Sequence, residues 1–322
     1  MKCRICNNNQ NNSKFQIREM MFGFNEVFDY FKCFDCGCLQ ISEIPKDVSK
    51  YYPEEYYSFK TVESYHGNTV KSYLKRKRYK HYIGDISIIG FVLNRTLGSP
   101  ELEWIKHAKI SETSTILDVG CGAGQLLLTL RAYGFKKLIG IDPYIGKELN
   151  YDGLKILKKT IDQVDDQFDF IMLHHSLEHM DDQHKVIKKL NKILKPKGEL
   201  LVRIPLVSSF AWDRYKENWV DLDAPRHFYL HTVKSFDLVA KNAGFFIDRM
   251  IFDSTDFQFW GSEQYQNNIS LRDSNSYAHN PKSSIFTKKQ IKSYRKMASK
   301  LNEEKRGDQA CFFLRKDDLS TN

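Results

Sequence analysis

Ile116-Leu-Asp-Val-Gly-Cys-Gly-Ala-Gly-Gln125 is the stretch on which the fold turns. Its head, Ser114 to Asp118 (STILD), reads as a buried strand, and Gln125 to Tyr133 reads as a helix stopped by Gly134. Between them, glycines at 120, 122 and 124 stand where backbone must turn sharply and let a ligand lie against it without a Cβ in the way. Asp142 ends the next apolar run, Lys137 to Ile141, in the place where a carboxylate accepts hydrogen bonds from ribose hydroxyls. Dinucleotide binding wants G-x-G-x-x-G, which brings a pyrophosphate to the helix N-terminus. Here position 125 is Gln and the spacing is G-x-G-x-G, which disfavours NAD.

Outward from this loop, strand-like and amphipathic runs alternate, the pattern of a parallel sheet with helices on both faces. Phe168 to Leu173 and Gly198 to Ile204 read as buried strands, and Gln183 to Leu194 and Thr232 to Asn242 as helices. Phe245 to Phe252 and Ala310 to Arg315 read as closing strands. The 322 residues fit one main domain with a small appendage. The expected segments are an N-terminal module over 1–48, a connector and helical segment over 49–110 that begins with Tyr51 to Tyr57, and the main domain over 111–316. Residues 252–309 form a long insertion before the last strand, and Phe257 to Tyr265 within it is placed to cover an acceptor as a lid.

Five of seven cysteines fall within the first 38 residues. Cys3-x-x-Cys6 and Cys33-x-x-Cys36 are two knuckles separated by enough chain for a β-hairpin, and two such turns supply four thiolates to one tetrahedral ion. The expected ion is a structural zinc, because four-thiolate sites leave no open position for chemistry. Cys38 is expected to be a free core thiol. No run approaches the roughly 18–20 apolar residues that cross a bilayer, and no apolar leader is present, so the expected compartment is the cytoplasm. The formal charge of +9 attracts phosphates whatever carries them. Much of the excess lies in Lys71 to Lys80 and between Lys288 and Lys300, which read as solvated helix faces.

Ile116 to Gln125 resembles motif I of the class I S-adenosylmethionine-dependent methyltransferases. The resemblance continues through Gly140-Ile-Asp142, Phe168-Asp-Phe-Ile171, Leu177-Glu-His179, Leu194-Lys-Pro-Lys-Gly198 and Ala243-Gly-Phe245, over roughly residues 100–315. It implies a Rossmann-like α/β fold whose seven-stranded, mostly parallel sheet ends in an antiparallel strand. It further implies that Asp118, Gly120, Cys121, Gly122 and Gly124 surround the methionine part of S-adenosyl-L-methionine and that Asp142 binds the ribose. Asp162, in Lys159-Thr-Ile-Asp162, and His175 complete the expected cofactor set.

Asp223-Ala-Pro-Arg-His-Phe-Tyr-Leu-His-Thr232 is similar to a segment in methyltransferases of glycan and secondary-metabolite pathways, and an N-terminal ribbon accompanies deoxysugar C-methyltransferases. That similarity implies a sugar or nucleotide-sugar acceptor near Glu178-His179. Where those enzymes carry Tyr two residues before the Glu, this chain has Ser176. Methyl transfer asks chiefly for alignment, and a base only for a hydroxyl or carbon acid; histidine suits that work near neutral pH. His179 is the candidate base, with Glu178 beside it and His227 its rival. Arg226 is read as a bidentate phosphate ligand or as a partner of Asp221 or Asp223. An RNA methyltransferase is the runner-up, opposed by the absence of an N/D-P-P-Y-like motif at His174-His-Ser-Leu177. A non-catalytic binding protein on the same fold ranks third, because the glycine loop and Asp142 are intact.

Overall fold

Apolar runs stopped by glycines become strands and helices in the expected order. The computed structural model describes residues 1–53, 70–84, 87–97 and 102–317. The connector from Tyr51 to Tyr57 lies outside the described residues from position 54 onward. The chain opens with β1 (Ser13–Arg18), β2 (Val27–Lys32) and β3 (Leu39–Ile41), then helices α1 (Val70–Tyr82) and α2 (Ile88–Leu97). There follow β4 (Thr115–Val119), α3 (Gln125–Tyr133), β5 (Lys137–Ile141), β6 (Leu149–Tyr151), β7 (Leu154–Leu157) and β8 (Phe168–His174). The remainder is α4 (Gln183–Ile193), β9 (Leu194–Pro205), α5 (Phe210–Tyr215), β10 (Tyr229–Leu230), α6 (Val233–Asn242), β11 (Phe245–Phe252), α7 (Phe257–Gln266), α8 (Lys288–Glu303) and β12 (Gln309–Lys316).

Two compact units result. One holds Met1–Pro53, Leu177–Ile187 and Arg203–Phe312; the other holds Glu54–Ser176, Lys188–Val202 and Phe313–Asn322. These limits are drawn differently from 1–48, 49–110 and 111–316. In the second unit, β8, β4, β5 and β7 lie side by side and all pair in parallel. Ile116 and Leu117 of β4 are wholly buried, as expected of a central parallel strand covered on both faces. Because the four strands point the same way, the loops after Val119, Ile141, Leu157 and His174 gather at one rim of the sheet, where ligands bind in such folds.

The large sheet carries eight strands, β11-β12-β9-β8-β4-β5-β7-β6, where the resemblance implied seven. The addition is β6, paired antiparallel with β7 through Asp152-Gly153. That two-residue Asp-Gly turn needs positive φ, which Gly153 supplies at +74°, and a Cβ there would meet the Lys136 carbonyl at 2.7 Å. The helix expected to reach Leu194 ends at Ile193, since Pro196 disfavours helical backbone at Lys195 and the chain is already extended.

In the first unit the hairpin expected between the cysteine knuckles forms as β1 and β2, joined by β3. The fourth strand comes from far along the chain: β10 pairs antiparallel with β3, Tyr229 opposite Gln40 and Leu230 opposite Leu39. The N-terminal segment is thus built into the packing of residues 203–312. Helix α6 follows at once, capped by Thr232, whose hydroxyl accepts from the Ser235 amide. Within the expected lid, α7 buries Phe259, Ser262 and Tyr265. None of the described helices is long and apolar enough to cross a membrane.

Candidate active site

In the second unit, the backbone between β4 and α3 takes left-handed φ at Gly120 (+76°), Gly122 (+51°) and Gly124 (+81°). A Cβ at Gly120 would lie 2.5 Å from the Ser176 Cβ, and one at Gly124 would lie 1.7 Å from the Ile156 Cδ1, so side chains are barred there by packing as well as by torsion. The loop is tied to β5 by the Gly120 amide, which donates to the Ile141 carbonyl at 2.8 Å. Asp142 fastens its far side: Oδ2 accepts from the Gly122 amide at 3.0 Å and Oδ1 from the Tyr144 amide at 2.8 Å. Each oxygen keeps accepting capacity for a hydroxyl.

Asp118 is buried, and its carboxyl is pushed up to about 8, first by burial and then by the charge of Asp142. Among the described residues no cation pairs with Asp118 or Asp142. S-adenosylmethionine fits this surplus of acid, because its sulfonium and ammonium are cationic and its ribose offers two hydroxyls. Cys121 is half-buried, with its thiol pushed up by burial and then by Asp118 and Asp142. Asp118, Gly120, Cys121, Gly122 and Asp142 therefore stand together. Asp162 lies on an exposed single turn, Ile161–Gln163, beyond β7, the strand paired with β5. His175, with φ of +51°, follows β8 at the same rim. Ser176 donates to the Val119 carbonyl at 2.7 Å, binding the end of β8 to the end of β4.

The first unit brings Glu178, His179 and His227 together, one ligand atom of each lying within 4.8 Å of the others. The imidazole rings meet edge to face at 4.7 Å between centroids. His179 Nδ1 is 2.9 Å from the Arg226 carbonyl, and His227 Nδ1 is 2.7 Å from the Asp221 carbonyl. A carbonyl only accepts, so both Nδ1 atoms carry a proton, and in a neutral ring of this tautomer the lone pair sits on Nε2. His227 Nε2 lies 4.0 Å from Glu178 Oε1 and 3.8 Å from Asp223 Oδ2, so an added proton there faces two carboxylates. His179 is held below the ordinary histidine range by burial first and by His227 second. His231, by contrast, is pushed down to about 3 by burial and has both ring nitrogens engaged, by Ser235 and Gln183. It is a core histidine.

Arg226 is not a phosphate ligand. Its side chain is wholly buried, with Nη2 bonded to Glu19 at 2.8 Å and to Asp223 at 2.6 Å, Nε to Asp223 at 3.0 Å and Nη1 to the Tyr51 carbonyl at 3.2 Å. Four of its five N–H groups are thus engaged inside the protein, and no part of the side chain reaches the surface to meet a phosphate. Glu19 had no signal in the sequence, since its partner stands 207 positions away. It also caps the Phe22 and Phe24 amides. Tyr52, whose hydroxyl is 3.1 Å from His179 Nδ1, and Tyr30, whose hydroxyl donates to the His227 carbonyl at 2.9 Å, were equally silent.

The four cysteines of the knuckles converge, with Sγ separations of 3.6 Å for Cys3 and Cys36 and 3.4 Å for Cys6 and Cys33. A tetrahedron of Zn–S bonds has edges of about 3.8 Å, so the donor set fits zinc. Cys3 Sγ accepts from the Ile5 amide at 3.4 Å and from Gln40 Nε2 at 3.1 Å. The hydrogen bond from Cys36, above all, lowers the Cys3 thiol to about 4. Cys38 is buried and free.

A methyltransferase-domain family profile matches residues 100–249. The mitochondrial ubiquinone biosynthesis O-methyltransferase of Dictyostelium discoideum is 28% identical over 112 residues, covering 28% of this chain and 35% of that protein. The sterol 4-C-methyltransferase of Caenorhabditis elegans is 28% identical over 152 residues, covering 43% and 42%. The tRNA U34 carboxymethyltransferase of Ruthia magnifica is 23% identical over 122 residues, covering 33% and 38%. The chain thus spans between a third and a half of the length of these curated relatives. Given the parallel β8-β4-β5-β7 core, the glycine loop with its acid at the tip of β5, and that match, residues 100–249 form a methyltransferase domain of the class I, Rossmann-like fold.

Proposed function

We propose that the chain transfers a methyl group from S-adenosyl-L-methionine to a small-molecule acceptor. The observation that carries this reading is the pair Asp118 and Asp142 around the Gly120–Gly124 turn: two buried acids without a cationic partner among the described residues, beside backbone shaped to receive a ligand. When bound, the cofactor supplies an electrophilic methyl on a leaving group that needs no activation. Asp142 holds the ribose hydroxyls, Asp118 faces cationic charge, and Asp162 and His175 complete the set at the rim. Of the cluster Glu178, His179 and His227, either imidazole Nε2 can take the acceptor's proton, and Glu178 steadies the resulting charge. His179 is the first choice because burial keeps it neutral and ready to accept.

The favoured acceptor is a sugar or nucleotide-sugar. Support comes from the Asp223–Thr232 segment together with the cysteine knuckles, and the structure joins these two features through the β3–β10 pairing. Loss of Arg226 as a phosphate ligand removes one reason for preferring the nucleotide-linked form. We assign Cys3, Cys6, Cys33 and Cys36 a structural zinc, in a reducing compartment such as the cytoplasm. An RNA acceptor is favoured by the +9 charge and by the tRNA-modifying relative. Cell extract supplied with methyl-labelled cofactor and the purified chain separates the two. Label in a sugar or sugar-nucleotide fraction supports the proposal, whereas label confined to RNA replaces it.

A further inference from the structure

The α1–α2 hairpin, in the second unit, packs inside out. One side of α1 is committed to the domain: Tyr79 stacks on Tyr133 with ring centroids 4.6 Å apart, and Arg76 and Lys80 bind Glu112 at 2.5 and 3.0 Å. Another side receives α2 through Gly90, where a Cβ would strike the His81 Cβ at 2.4 Å and the Lys77 carbonyl at 2.5 Å. Asn94 fixes the crossing by donating to the Arg78 carbonyl at 3.2 Å. Gly90 and Asn94 of α2 therefore face the protein, while four of its large apolar residues face water beside the exposed Arg95 and Thr96. Ile88 is 83% exposed, Phe91 52%, Val92 50% and Ile89 44%. At about 100° per residue these four positions span an arc of roughly 160°, with Gly90 opposite. A surface helix normally turns this stripe to the core. Tyr73 and Ile83 of the α1 side are exposed as well.

Charge narrows what can cover such a face. Residues 70–97 contain seven lysines and arginines against one acid, Asp85, and two of the seven, Arg76 and Lys80, are paired with Glu112. A second copy of the chain would bring the same positive field against itself. A nucleic acid would use the charge but leave the isoleucines and Phe91 in water. An anionic bilayer satisfies both features, taking aliphatic and aromatic side chains at the acyl boundary and basic ones at the headgroup phosphates. We infer that the α1–α2 hairpin seats the protein on an anionic membrane surface. The face gives a use to Lys75 and Lys77, which the proposed reaction leaves without one.

The test is co-sedimentation of the full chain with vesicles of phosphatidylglycerol and phosphatidylcholine in equal parts, against vesicles of phosphatidylcholine alone, at physiological salt. The chain should pellet with the first and stay in solution with the second. Ile88→Ser/Phe91→Ser should weaken vesicle affinity at least about tenfold, and Lys75→Gln/Lys77→Gln should weaken it by about fivefold per charge. Both variants should keep the parent's melting curve, because the replaced side chains are exposed or half-exposed. Failure of the parent to bind anionic vesicles overturns the inference. So does vesicle binding that the serine variant leaves intact, or transfer-RNA binding that the glutamine variant loses while the serine variant keeps it. A parent dimer that the serine variant dissolves, without vesicle binding, assigns the face to a second copy instead.

Discussion

Replacing Asp118 by Asn probes the surplus of acid beneath the glycine turn. Burial, reinforced by Asp142, places the Asp118 carboxyl at about 8, so at pH 7 roughly nine chains in ten carry it protonated. A bound cation returns the group toward the ordinary carboxylate range, and its proton must leave. Binding of S-adenosylmethionine at pH 7 should therefore release about 0.9 proton, falling to about half at pH 8, and affinity should rise about tenfold per pH unit below that point. The displacement from 3.8 to about 8 sets a ceiling on the order of 6 kcal/mol for what the cation restores. For the free protein the sign is opposite. A folded-state value raised above the unfolded one gives stability that is full below about pH 4 and lost as pH rises through about 8. Asp118→Asn should thus match the parent at pH 4, exceed it in stability above pH 8, and bind cofactor more weakly there without pH dependence. Titration calorimetry at pH 7 in phosphate and in Tris counts the protons. Zero release by the parent, or equal release by the Asn variant, refutes the reasoning.

Other perturbations address the remaining features. Metal analysis should find one zinc per chain, lost in Cys33→Ser; a metal-free parent that stays folded would remove the zinc from the account. His179→Asn should cut turnover by about 10²–10⁴-fold with cofactor affinity unchanged, and the parent's acid limb should lie below the ordinary histidine value because burial favours the neutral ring. If only His227→Asn loses activity, the base is His227. Arg226→Met leaves Glu19 buried without its cation and should destabilise the protein by about 3–5 kcal/mol in urea unfolding, with Glu19→Gln recovering part of it. An unchanged midpoint would mean that the buried network does not hold the cluster.

The parallel core was legible because each of its steps is local. A strand, a glycine turn and a helix stop all lie within Thr115 to Gly134, and Asp142 follows on the next strand. The same holds for the paired cysteine knuckles. β6 emerges only in the structure, although Asp152-Gly153 between short apolar runs is a local hairpin signal. What the sequence could not show were pairings across long separations. Nothing near Leu39 announces Tyr229-Leu230 as its neighbour, and nothing near Arg226 announces Glu19. The apolar residues Ile88, Ile89, Phe91 and Val92 of α2 are visible in the sequence, but only Gly90 seated on His81 shows that they face outward.

The central claim is that the turn from Gly120 to Gly124, with Asp142, holds S-adenosylmethionine. Titration calorimetry of the purified chain with that ligand, beside Asp142→Ala, tests it most directly. One site per parent chain is expected, weakened in the variant by about 1.5–3 kcal/mol for each charge-assisted hydrogen bond lost. Absence of binding by the folded parent, or equal affinity in the two proteins, would contradict it.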